Sequence, residues 1–299
     1  MSNIRNVDLT ALRTRLGRVG VWLGALESLP ARAARDAAGQ IEAMGYPTLW
    51  IAENRKEAFA QASILLSASE HLTVATGIAN VWAREPDTAV SGANTLGEAF
   101  PDRFVLGLGI GHAKFVERYD KPLATMRTYL DRMHESADAG GSPVNPVPWL
   151  VAALRPKMLE LAAARTQGSH PYFVPVEHTA FAREALGPAP VLAPEVAVVL
   201  DPDPSTARAT ARAYMKMYLD LPNYTGNLLT FGFTEDDLSD GGSDRLVDAI
   251  VPWGDVETIR SRVHEHLDAG ADHVCIQPLT GGPGVGLREL QKLAPALLG

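Results

Sequence analysis

The sequence predicts an α/β fold, and within that class a (β/α)8 TIM barrel, with a doubly wound parallel sheet as the alternative. Three observations carry this reading. Eight short apolar segments alternate with helical ones along the 299 residues; a barrel needs eight such units and a doubly wound sheet rarely does. Those segments do not alternate cleanly between polar and apolar positions, as expected of parallel strands buried on both faces. Residues 103–112, RFVLGLGIGH, take an apolar run into a glycine series, the form of a buried strand entering a ligand-facing turn. A single domain over residues 1–299 is expected, with an insertion at about 222–253, near strand seven.

Each element follows from local chemistry. Residues 1–17 are polar and mixed, an extension or short helix. The first strand is 19–23 (VGVWL). Pro30 suits a first helical position, the alanine-rich stretch 31–44 follows, and Gly45 is a good residue just past a helix end. TLWIA at 48–52 is the second strand, 57–69 a helix and LTVATGI at 72–78 the third strand. A helix over 86–100 leads to the fourth strand, 104–108. Residues 121–134 are helical, with Pro122 in the first turn and Met126, Leu130 and Met133 at helical spacing. PWLVAA at 148–153 is the fifth strand, and Pro156 opens a helix over 155–165. The sixth strand is expected at 172–174, then a helix at 179–186. EVAVVL at 195–200 is the seventh strand, followed by a helix at 205–219. The glycine-rich, acidic stretch 222–253 breaks the rhythm and reads as short helices and loop. A helix at 255–269, the eighth strand HVCIQ at 273–277 and a helix at 287–297 complete the chain.

Apolar residues make up 46% and charged residues 21%, with a net charge of −8, the composition of a globular protein. The acidic balance argues against a nucleic-acid partner, whose phosphates call for a basic face. Cys275 is the single cysteine, which excludes an internal disulfide; its apolar setting reads as packing. No stretch resembles a membrane span or a signal peptide, so a cytoplasmic enzyme acting on a small molecule, with no membrane partner, is expected. Abundant alanine, with arginine preferred over lysine, points to a GC-rich genome.

Chemistry in a barrel sits at the C-terminal ends of the strands. Those ends hold Glu53 and Asn54, residues 78–80, 107–112, 152–154 and 168–172. The set lacks paired carboxylates and a nucleophile with its base, which disfavours hydrolysis. It is rich in glycine and small polar groups, which suits a flat, bulky cofactor. The glycines imitate a dinucleotide fingerprint at Gly107 and Gly109, but the third position falls on His112 and Gly111 is one place early. His112 is a ligand donor, a base or a turn cap. His170 is a structural hydrogen-bonding group or a functional one. Gly168 ends the preceding helix or exposes amides to phosphate. Asn80 bonds a cofactor edge or its own backbone, Glu53 orients a neighbour or acts as an acid, and residues 84–86 are surface or binding wall. His264 and His266 are two apart on a helix and do not share a face, so no metal site is expected.

Several stretches together resemble the bacterial luciferase-like monooxygenase superfamily, and within it the actinobacterial branch that uses the deazaflavin coenzyme F420. They are TLWIAE at 48–53, TVATGIANVWAREP at 73–86, RFVLGLGIGH at 103–112, YDKPLATMRTYLDRM at 119–133 and VAALRPKMLELAAARTQGSHPYFV at 151–174. The resemblance covers nearly the whole chain. It implies a (β/α)8 barrel with a cofactor ring at its mouth and a non-prolyl cis peptide around Gly77 and Ile78. It implies that Gly77, Ile78, Asn80, Gly107, Gly109, Gly111, Ala152, Gly168, Ser169 and His170 border the cofactor. His112 and Glu53 are then the catalytic candidates, and Trp22, Trp50 or Trp82 a wall over the substrate. The implied reaction is hydride transfer between the deazaflavin C5 and a small organic substrate. The alternatives are an FMN-dependent, two-component flavin monooxygenase and a non-catalytic cofactor-binding barrel. A flavin or F420 reductase that supplies reduced cofactor, and a homodimer, are the partners the resemblance implies.

Overall fold

The structure, a computed structural model, describes residues 7–117, 119–139, 145–282 and 284–299. Helix α1 (Leu9–Leu16) precedes β1 (Val19–Trp22), and a 3₁₀ turn, Gly24–Ser28, leads into α2 (Ala31–Ala43). Then follow β2 (Thr48–Ile51), α3 (Ala58–Leu66), β3 (Thr73–Thr76), β4 (Ala79–Asn80), α4 (Pro86–Ala99) and β5 (Phe104–Gly109). The middle of the chain forms α5 (Pro122–Ala139), β6 (Trp149–Val151), α6 (Pro156–Arg165), β7 (Gly168–Ser169), α7 (Val176–Leu186), β8 (Val191–Leu192) and β9 (Glu195–Val198). Helices α8 (Pro204–Leu219), α9 (Pro222–Thr230), α10 (Glu235–Leu238) and α11 (Asp244–Ile250) come next, then α12 (Val256–Asp268), β10 (Val274–Pro278) and α13 (Leu287–Leu298). Helix starts follow the residues: proline opens α4, α6, α8 and α9, where its missing N–H costs nothing. Asp8, Asp203 and Asp255 accept hydrogen bonds from the first backbone amides of α1, α8 and α12. None of the described helices is long and apolar enough to cross a membrane.

All strand pairs are parallel, in the order β8-β7-β6-β5-β3-β2-β1-β10-β9, with β4 alongside β5. The sheet is curled, of TIM-barrel-like topology. Side chains alternate along a strand, and one set from strands around the sheet forms a single buried cluster: Trp22, Trp50, Ala75, Val105, Leu150, Val191 and Cys275. Leu12 and Leu16 of α1 join it, so this helix plugs the concave side. The other set, including Leu49, Ile51, Val74, Leu106, Val151 and Ile276, packs beneath the helices in the largest core. A third cluster joins Leu228, Leu246, Val247 and Ile250 of the 222–253 stretch to Leu154, Phe173, Val199 and Met215.

Two expectations change. The sixth strand is not at 172–174 but at β7, ahead of Pro171, and Phe173 has a positive φ of 58° that no strand tolerates. Gly168 is therefore strand, not helix terminator; α6 ends at Arg165. The strand expected at 195–200 begins earlier, as β8, and is broken at Ala193 and Pro194. Across that break Ala193 N donates to Ser169 O (2.9 Å), Glu195 N to Pro171 O (2.9 Å) and Cys275 N to Pro194 O (3.0 Å).

Candidate functional site

The C-terminal ends of the strands surround a cavity of about 860 Å³, walled mostly by apolar atoms. Trp22 (end of β1), Ala52 to Asn54 (after β2), Gly77 and Ile78 (between β3 and β4), and Asn80 form one side. Gly109 to His112, Ala152 to Met158, His170 and Tyr172 form the next, and Tyr218, Leu221 and Tyr224 of α8 and α9 close over it. Among the residues expected to border a ligand, Glu53, Gly77, Ile78, Asn80, Gly109, Gly111, His112, Ala152 and His170 line this space.

Gly107, Gly168 and Ser169 do not. A Cβ on Gly107 would overlap the carbonyl oxygen of Thr76, and its N–H donates to Thr76 Oγ1 (2.8 Å), so this glycine serves strand packing. Gly168 lies against the backbone of Val191, with no room for a side chain. The Ser169 hydroxyl is buried and donates to Val151 O (2.9 Å). Of the three tryptophans, Trp22 reaches the cavity. Trp50 is buried beneath it, donating to His273 Nε2 (3.0 Å), and Trp82 donates to Ile110 O (2.8 Å).

Glu53 is a committed carboxylate. It accepts from Asn80 N (2.8 Å), Ala58 N (3.0 Å) and both terminal nitrogens of Arg84, one of them at 2.9 Å. Arg84 also donates to Asn80 O (3.3 Å). Burial opposes the charge on Arg84, but Glu53 and Glu57 outweigh it and raise its pKa. The pair fixes the backbone at Asn80, whose side chain accepts from Trp82 N (3.0 Å). Both carboxylate oxygens are thus engaged, an arrangement that suits the orienting alternative for Glu53. The partner, Arg84, is 31 residues away and carried no periodic signal.

The Gly77–Ile78 peptide is cis. Gly77 sits against two buried nitrogens: an atom at its Cβ position would lie 2.5 Å from Trp22 Nε1 and 2.9 Å from His170 Nε2. His170 Nδ1 is 2.7 Å from Ala193 O and therefore carries the ring proton, which leaves Nε2 as an acceptor. Burial lowers the His170 pKa to about 4, against the pull of the Ala193 carbonyl, and the ring is neutral at pH 7, stacked on Trp50 at 4.3 Å. Neither Trp22 Nε1 nor His170 Nε2 has a hydrogen-bond partner among the described residues. One donor and one acceptor thus lie buried against Gly77, on two side chains that also line the cavity. His112, on the wall, packs against Tyr224 (4.9 Å) and has its pKa lowered by burial.

Sequence reasoning missed a cluster behind this wall. Tyr172 donates to Gln277 Oε1 (2.9 Å), its hydroxyl lies 2.9 Å from that of Tyr218, and Tyr214 donates to it (3.0 Å). Tyr214 lies 3.4 Å from Glu195 Oε1, and Phe173 N donates to Glu195 Oε2 (3.3 Å). Tyr214 and Tyr218 stand four apart on α8, a legible pair, but nothing in the spacing ties them to Glu195.

A family model, luciferase-like monooxygenase, matches residues 15–273. The chain belongs to this family. Among curated proteins it is similar to 5,10-methylenetetrahydromethanopterin reductase of Archaeoglobus fulgidus, 27% identical over 158 residues, which cover 44% of this chain and 47% of that one. The chain thus matches about half the length of that relative. Two solved structures share the fold of the family. An F420-dependent secondary alcohol dehydrogenase in complex with an F420-acetone adduct has a TM-score of 0.73 at 16% identity, covering 94% of this chain and 98% of that one. The oxygenating constituent of 3,6-diketocamphane monooxygenase of Pseudomonas putida, in complex with FMN, has a TM-score of 0.68 at 14% identity, covering 94% and 98%.

Proposed function

We propose that this chain is an F420-dependent oxidoreductase, built on a closed (β/α)8 barrel as a single domain with an insertion at about 222–253. Closure is supported by the two ends of the strand order, β8 and β9: only Ala193 and Pro194 separate them, and the backbone bonds on both sides run across that break. Counted through the breaks, β3 with β4 and β8 with β9 make eight strands.

The observation that carries the function is the large, mostly apolar cavity at the strand ends, with Trp22 and His170 in its wall beside Gly77, a setting that suits a flat heteroaromatic ring. The rim fits the rest of the cofactor. The N-terminal end of α6 presents Arg155 and Lys157, a setting that favours a phosphate. Gly111 and Ala152, with no side chain or a single methyl, let the backbone approach a ring closely, while Gly109 makes room for the Ile78 side chain. When bound, reduced F420 supplies a hydride from its deazaflavin C5 to an electrophilic carbon of a small organic substrate. The chain's own tasks are to exclude water with Leu123, Leu154 and Leu221, to fix Asn80 through Glu53 and Arg84, and to present the neutral His112 imidazole to the substrate. The alcohol dehydrogenase structure, described with F420, supports this choice, and the FMN-bound monooxygenase names the competing ligand.

The test is a fluorescence titration of the purified protein with F420 and with FMN. F420 is expected to bind more tightly, and Trp22→Ala, which removes an aromatic wall of the cavity, to weaken it by about tenfold. Preference for FMN would overturn the assignment.

A further inference from the structure

Among the described residues Glu195, on β9, is the one carboxyl group in the wall of tyrosines beside the cavity, and holding a cofactor ring leaves it without a task. Its side chain is 1% exposed, and no cation pairs with it among the described residues. A buried, unpaired carboxylate is strongly disfavoured, so the neutral acid is the stable form. Burial raises its pKa to about 8, against the hydrogen bonds from Phe173 N and Tyr214. The groups that face it are the hydroxyls of Tyr172, Tyr214, Tyr218 and Tyr224 and the Cys275 thiol, each pushed up in pKa by burial and therefore neutral.

The hydroxyls form a continuous chain. Glu195 Oε1 to Tyr214 is 3.4 Å, Tyr214 to Tyr172 is 3.0 Å and Tyr172 to Tyr218 is 2.9 Å. Tyr172 and Tyr218 are on the cavity wall. A phenol both donates and accepts, so this chain has two orientations. With Glu195 protonated, the carboxyl donates to Tyr214, Tyr214 to Tyr172 and Tyr172 to Tyr218. With Glu195 ionised, every bond reverses. The two orientations differ by one proton delivered at the Tyr218 end. The structure points the single Tyr172 proton at Gln277 Oε1, so either orientation requires the Gln277 amide to turn and donate an N–H to the Tyr172 oxygen, while Phe173 N holds the second carboxyl oxygen.

We propose that Glu195, Tyr214, Tyr172 and Tyr218 form a proton relay that supplies the proton half of a hydride-transfer reaction in the cavity. The inference rests on the oxidoreductase reading above. A substrate reduced at a C=O or C=N bond takes an electron pair with the hydride, which the reduced deazaflavin supplies. Its oxygen or nitrogen then needs one proton. The O–H bond of Tyr218 breaks as the substrate's O–H or N–H bond forms. Tyr218 regains a proton from Tyr172, Tyr172 from Tyr214 and Tyr214 from Glu195, which ends as the carboxylate. Oxidation of an alcohol runs the same steps backwards and protonates Glu195. Glu195 and Tyr214 act through the other two and are positioning residues; Tyr218 is the group that meets the substrate. The chemical class implied is a carbonyl, imine or alcohol small enough to reach Tyr218.

The experiment has two arms. Infrared difference spectra of the cofactor-free protein across pH 5–10 are expected to show a protonated carboxyl band that titrates near pH 8, disappears in Glu195→Gln and shifts in Tyr214→Phe. A band that titrates in the ordinary carboxylate range overturns the relay, whatever the protein binds. In the second arm F420 is loaded, and its oxidation is followed across pH with a panel of ketones and imines. Glu195→Gln and Tyr214→Phe are expected to lower kcat at least tenfold, to leave F420 affinity within twofold, and to abolish the pH inflection near 8 and the solvent isotope effect. Variants that bind F420 and keep the wild-type pH profile overturn the relay. A wild-type protein that shows the infrared band but does not bind F420 overturns the oxidoreductase reading and leaves the hydrogen-bonded chain as measured.

Discussion

At the scale of single residues the site is held by pairings that span long stretches of chain. Glu53 and Arg84 are the clearest: their side chains are 10% and 6% exposed, and the carboxylate also accepts the Asn80 and Ala58 amides. Removing one partner of a buried pair strands the other, which costs about 3–5 kcal/mol. Arg84→Met is therefore expected to lower unfolding stability by that amount in urea titrations, and to do more damage than Glu57→Gln, whose carboxylate is half exposed and only 3.1 Å from the same guanidinium. An equal effect from the two variants would show that the Glu53 carboxylate is not buried with its charge. This pairing was illegible in the sequence, since residues 53 and 84 lie on different loops and no period relates them. His112 and Gly109 were legible for the opposite reason: both follow directly from a recognisable strand. The Glu195 cluster was half legible, with the tyrosine pair of α8 visible as an i, i+4 stripe and the carboxyl reading as an ordinary strand start.

At the scale of elements, what could be read was what local chemistry marks. Prolines in opening turns located α5 and α6, and apolar runs located β1, β2, β3, β5, β6 and β10. Strand β7 escaped because its two residues are glycine and serine, selected for fit and not for hydrophobicity. Gly168 has to be glycine, since any Cβ would collide with the Val191 backbone across the ladder. Gly168→Ala is expected to separate β7 from β8 and to leave the protein insoluble or unfolded on expression. Gly187→Ala is the matched comparison: its site is open, and only its φ of 75° resists a side chain, at about 1 kcal/mol. A soluble Gly168→Ala protein with unchanged thermal unfolding would show that β7 and β8 do not pack as described. Strand β4 escaped for another reason. It resumes pairing with β5 after the cis Gly77–Ile78 peptide, and the apolar run through 72–78 masks the interruption.

At the scale of the whole molecule, the eightfold rhythm of apolar segments was the most legible property, because every strand of such a sheet must be buried on both faces. Burial also sets the response of the molecule to acid. His170, His178 and His273 have pKa values lowered to about 4, and His266 to about 3, all mainly by burial. Unfolding returns them to 6.5, so between pH 6.5 and 4 the unfolded chain binds protons that the folded one refuses, and stability falls as pH falls. Glu195 works the other way: raised from 4.5 to about 8, it favours the fold at low pH and loses that contribution as pH rises through 8. The net uptake on unfolding at pH 5 is expected to be about three protons, or roughly 4 kcal/mol of stability per pH unit. Urea unfolding at a series of pH values measures the slope, and His266→Gln should reduce it by about one proton. A slope under one proton would mean that these rings are charged in the fold. The strand register carries a further consequence. Val19 pairs directly with Val274, with most of the described chain between them. A ribosome delivers β1 well before β10, so β1 waits with one edge unpaired. Pairing over such a span slows folding, and an open strand edge recruits other chains. In the finished protein β10 is thus also a guard against self-association, and a chain halted before residue 274 leaves β1 without it.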